Sequence, residues 1–197
     1  MARLANVKEK RHQTLWDTLI RTTGNTGTPE QPVLQSTTSL FDTARPGRPA
    51  LTNLQVAGQL ASDQTFVIHA LRSVLYFNGS NSQVNYLRTN NQLYWTLFVG
   101  EKAMFSAPSW YFPAGGGTWG LSATPGRSVF NNGEPTQEAI LLLAKPVIIS
   151  RGQNFSVQGT FYPMGMISAL EGLNIGAADD EKEITFIIDG LQARDVG

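Results

Sequence analysis

The stretch AILLLAKPVIISRGQNFSVQGTFYP, residues 139–163, decides the reading of the chain. Its first half is too rich in Ile, Val and Leu to face water, and Pro146 removes an amide donor that a helix interior needs. Residues 139–150 therefore read as a strand with an edge or bulge at the proline. The polar turn SRGQN follows. Phe155, Val157, Gly159 and Phe161 then alternate with Ser156, Gln158, Thr160 and Tyr162, which is the period of a strand with one buried face. Two strands joined by a short polar turn predict an antiparallel hairpin. A hairpin this apolar needs a second layer, which only other sheets of the same chain can supply.

Those sheets are legible on both sides. Downstream, EITFIIDGL at 183–191 turns Ile184, Phe186 and Ile188 to one face. Upstream, TFVIHALRSVLYF at 65–77 is dense in β-branched and aromatic residues and ends at the turn signal Asn78-Gly79. QLYWTLFV at 92–99 is another strand, with shorter strands expected near 103–105 and 54–60. Residues 80–91 are polar, with Val84, Tyr86 and Leu87 as local anchors. Seven or eight strands separated by turns, with no βαβ repeat, predict an all-β fold: a two-sheet antiparallel sandwich of jelly-roll type.

The N-terminal quarter reads differently. Residues 7–21 predict a short amphipathic helix in which Leu15 and Leu19 share a stripe and Trp16 and Ile20 lie beside it. Such a helix is marginal alone, so its stripe must dock, on its own domain, on a neighbouring subunit or on a membrane surface. Residues 22–49 scatter Gly and Pro among Thr, Ser and Gln without core periodicity, and predict an extended arm. The expected organisation is an arm over 1–50 carrying the short helix, followed by a sandwich domain over 51–197. Residues 106–137 form a long insertion in which Gly115, Gly116 and Gly117 sit between Trp110, Tyr111, Phe112 and Trp119, as expected of a surface loop.

Fifteen basic and fifteen acidic side chains cancel, so no overall field draws the protein to nucleic acid or to an anionic membrane. With no cysteine there is neither a disulfide framework nor a thiolate metal site. The start MARLANVKEKRHQ lacks the apolar core of a secretory signal, and no run reaches the ~20 apolar residues of a membrane helix. The only histidines are His12, on the expected arm, and His69, in mid-strand, where a hydrogen-bonded structural role is expected. They form no nucleophile–base pattern and no cupin-type ligand set. The acidic run Asp179, Asp180, Glu181 with Glu183 matches no EF-hand, and the triple glycine lacks the setting of a phosphate loop. No catalytic residue, metal or cofactor is expected.

PVIISRGQNFSVQGTFYP followed by EKEITFIIDGLQARDVG resembles the closing strands of single jelly-roll structural proteins of bacterial viruses, and VGEKAMFSAPSWYFPAGGG resembles a loop in the same kind of virion protein. The resemblance covers about the second half of the chain and implies a capsid shell, vertex or cement protein that works through subunit contacts in the virion. On that reading the partners are other capsid subunits, with no specific nucleic acid and no membrane. Leu15, Trp16, Leu19 and Ile20 are the expected assembly contacts, and Trp110, Tyr111 and Trp119 are loop contacts. The alternative from another class is a carbohydrate- or receptor-binding module that stacks sugar rings on those three aromatics.

Overall fold

In the computed structural model the described residues are 8–22, 36–42, 51–54, 56–79, 82–112, 119–124, 127–133, 141–162 and 181–195. They form β1 (Lys8–Thr22), β2 (Ser36–Leu40), β3 (Gln64–Gly79), α1 (Ser82–Gln92), β4 (Leu93–Val99), β5 (Lys102–Pro108), a 3-10 turn (Ser109–Tyr111), β6 (Trp119–Thr124), β7 (Arg127–Asn131), β8 (Leu141–Ile149), β9 (Phe155–Phe161) and β10 (Glu181–Asp195). One 4-stranded sheet has the order β2-β9-β4-β5. The other, 6-stranded, runs β1-β10-β3 and then divides, because β8 and β7 share the far edge of β3. β8 pairs with residues 66–71 and β7 with residues 76–79. Between them the Asn132 side chain takes the place of a strand: its amide donates to Ser73 O at 2.6 Å, and its carbonyl accepts Leu75 N–H at 2.8 Å. Every pairing is antiparallel.

Alternation builds the core between these sheets. β4 buries Leu93, Trp95, Leu97 and Val99, β9 buries Phe155 and Val157, and β10 buries Ile184, Phe186 and Ile188. The Trp95 ring lies 5.0 Å from that of Phe186 across the gap, and its indole N–H donates to the buried Ser73 Oγ at 3.1 Å. Gly159 makes room for that indole, since a Cβ there would come within 2.8 Å of the ring. The result is an all-β, sandwich-like fold. α1 covers one end, with buried Tyr86 edge-on to Phe77 at 6.2 Å. The sequence did not announce this helix, because residues 82–92 carry no apolar stripe; Leu87, expected as an anchor, is exposed.

Several expectations are corrected. The amphipathic helix over 7–21 is strand β1, paired along its whole length with β10. Residues 15, 16, 19 and 20 satisfy a helical stripe, but Leu15, Asp17 and Leu19 also satisfy strand alternation, and pairing with β10 decides between the two. Leu15 is buried in the core and Leu19 packs against it, so these two contacts are made within the subunit; the side chain of Ile20 lies outside the described residues. β2, also drawn from the expected arm, lies in the second sheet, while residues 23–35 and 43–50 fall outside the described residues. The hairpin expected from 139–163 does not form, because β8 pairs with β3 whereas β9 pairs with β2 and β4. Both strands turn apolar residues toward the same core, but from opposite sides, and the polar turn carries the chain from one sheet to the other. Finally, residues 54–60 hold isolated bridges rather than a strand, and the expected insertion carries β6 and β7.

One buried charge fastens β1 to this core. Asp17 is fully buried, and its carboxylate accepts the backbone N–H of Thr18 at 3.0 Å and of Phe41 at 2.6 Å. Phe41 sits at φ 65, a strained region for a bulky residue. It is held there by Asp17, by the N–H of Gly58 on its carbonyl, and by its ring packed 5.5 Å from Phe155.

Candidate functional site

Among the residues expected to make contacts, Trp110 and Tyr111 occupy the 3-10 turn after β5. They are 59% and 50% exposed, with rings edge to face at 6.2 Å. Trp119 opens β6, and its side chain lies outside the described residues. Trp16 is half-buried on β1, where its backbone N–H bonds to the Asn53 side chain at 3.1 Å.

A cluster that the sequence does not announce lies on the outer face of the larger sheet. Its origin is a bulge. Opposite Asp189 and Gly190 of β10, the register of β3 jumps from Ala70 to Ile68, and β8 is displaced at the same place. His69 is left without a ladder partner, and the sheet bends there. Gly190 is needed at this bend, because a Cβ would strike the Val67 carbonyl oxygen and approach the Phe66 ring within 2.7 Å.

Around the bend, strand pairing aligns residues distant in sequence. Thr14, Asp189, Ala70 and Leu142 form one row across four strands, and His12, Leu191, Val67 and Ile148 form the next. A depression of about 360 Å³ lies here, lined by His12, His69, Ala70, Arg72, Leu142, Asp189, Gly190 and Leu191. Thr14 Oγ1 donates to Asp189 Oδ1 at 2.8 Å. Arg72, on the diagonal of the ladder, brings Nε to 2.7 Å from Asp189 Oδ2, and both side chains are largely buried. The separation makes this an ion pair, yet the N–H is not aimed at the oxygen, so neither atom has an aligned hydrogen bond. His69 Nε2 is likewise buried without a hydrogen-bond partner. Leu142 and Leu191, at 71% and 40% exposure, form an apolar rim.

Chemically the depression offers donors from Arg72 and two imidazoles, one carboxylate already engaged, and a hydrocarbon lip. Among the described residues no group of three or more His, Cys, Asp and Glu side chains converges as for a metal ion. In the sequence His12 and His69 stand 57 positions apart, and nothing there shows that β1 and β3 flank β10. Their shared outward phase shows only once the register is known. Compared with known proteins, the chain matches no protein-family model and no curated protein.

Proposed function

We propose that this protein is a structural subunit of a virion, a single jelly roll that builds or cements a capsid through contacts with further subunits. The observation that carries this reading is strand order. Setting aside the inserted β6 and β7, eight strands remain as β1-β10-β3-β8 facing β2-β9-β4-β5. Consecutive strands alternate between sheets except at the β4–β5 hairpin, and the last strand lies between the first and the third. Two interlocked Greek keys produce that order. A formal net charge of zero suits close packing of many copies, since it minimises self-repulsion. With Leu15 and Leu19 turned inward, assembly contacts fall to the outer faces and rims, where Ile148, Trp110 and Tyr111 are exposed. The mass of the purified native protein by light scattering, with electron microscopy of the same sample, tests the proposal. A closed particle or a ring of fixed copy number is expected. A protein that stays monomeric at every concentration would remove the assembly reading.

A second reading rests on the exposed Trp110–Tyr111 pair, whose perpendicular rings suit stacking against a sugar in a receptor-binding module. A glycan array probed with wild type and Trp110→Ala checks it: signals that the variant loses would favour this function, and an array without signal would discard it.

A further inference from the structure

We infer that the depression on the outer face of the larger sheet binds an aliphatic carboxylate, with the acid group toward Arg72, His12 and His69 and the hydrocarbon on Leu142 and Leu191. This inference goes beyond the assembly reading and does not depend on it. Hydrogen-bond inventory is the first ground. A carboxylate only accepts, and the polar side chains around the depression can donate, apart from Asp189, whose Oδ1 accepts from Thr14 and whose Oδ2 is ion-paired with Arg72. Arg72 meets Asp189 through Nε rather than through a two-bond fork, which leaves its Nη edge for a second acceptor. The second ground is His69 Nε2, buried and without a partner in the wall of the depression. A buried polar atom in that state is costly, and a rotation of the His69 ring toward the depression that it lines gives it an acceptor there. Third, the rim is hydrocarbon: Leu142 is 71% exposed, Leu191 is 40% exposed, and Ala70 lies between their strands. A volume of about 360 Å³ fits a short-chain acid and falls at the small end of ordinary ligand pockets.

The chain has only two histidines and both line the depression, so their imidazole Cε1–H resonances report on it without interference. Hexanoate titrated into the full-length protein should move both resonances saturably. Acetate, with the charge but no tail, and hexanol, with the tail but no charge, should bind clearly more weakly, as should inorganic phosphate. His12→Ala and Leu142→Ser alter exposed side chains, and circular dichroism verifies that each variant is folded. Each should weaken hexanoate about threefold to tenfold, the loss expected for one hydrogen bond or for part of an apolar contact. The inference is overturned if no saturable shift occurs, if hexanol or phosphate matches hexanoate, or if both folded variants bind as wild type does.

Discussion

Gly190 and Asp17 each hold a place that no neighbouring residue type can fill, and each makes a measurable claim. At Gly190 the first obstacle to a side chain is the Val67 carbonyl, which is backbone of the adjacent central strand and cannot swing aside. We expect Gly190→Ala to cost about 3 kcal/mol or more, as overpacking against rigid neighbours does, and to lower the urea midpoint accordingly. An unchanged midpoint would mean that β10 can move away from β3 at the bulge. At Asp17 the carboxylate accepts from two backbone donors, Thr18 and Phe41, without leaving the core. Asp17→Asn keeps the shape but turns an NH₂ group toward one of those N–H donors. A loss of about 2–3 kcal/mol follows from one broken charge-assisted bond and the donors left facing each other. Denaturation of the variant at neutral pH checks this, and a variant as stable as wild type would show that the carboxylate is not what holds Phe41 at its positive φ.

At the scale of elements, β1 is the test of the corrected reading. If residues 1–22 were a detachable arm, their removal would leave a folded body. Because β1 covers β10 along its whole length, the deletion strips the outer edge from the strand that carries Ile184, Phe186 and Ile188, and takes Leu15 from the core. It also leaves a long unpaired edge, which invites aggregation. We expect the truncated chain to be insoluble or to lack the β-sheet circular dichroism of the full chain; a soluble, cooperatively folding product would restore the arm. What was legible in the sequence follows the same physics. β3, β4, β9 and β10 each turn one apolar face inward, so period-2 alternation locates them. β1 is hidden because Leu15 and Leu19 fit the helical and the strand period at once, and a buried Asp stands between them in the inward phase. Nearness in sequence suggests a β8–β9 hairpin, whereas the two strands reach the same core from opposite sheets. The outer-face depression was invisible for a different reason: pairing register, not sequence proximity, brings His12 and His69 to one place.

For the molecule as a whole, the question is whether two sheets with separate ladders fold as one unit. No strand is shared between them, so side chains must couple them. Trp95 is one such link: its ring packs on Phe186 of the opposite sheet, and its N–H satisfies Ser73, a fully buried hydroxyl on β3. Phe112 adds a second contact to Phe186 at 5.4 Å. Among the described residues the buried hydrophobic side chains, Ala70 apart, belong to a single cluster drawn from both sheets. Unfolding followed by tryptophan fluorescence and by far-ultraviolet circular dichroism should therefore give coincident transitions, as for one cooperative core. Trp95→Ala should lower stability by about 3–5 kcal/mol, the range for removing a large buried aromatic. Trp95→Phe should keep most of the packing, but it strands the Ser73 hydroxyl and should cost about 1–3 kcal/mol. If the two probes separate in wild type, or if Trp95→Ala loosens one sheet while the other melts unchanged, the sheets are independent units and the indole does not couple them.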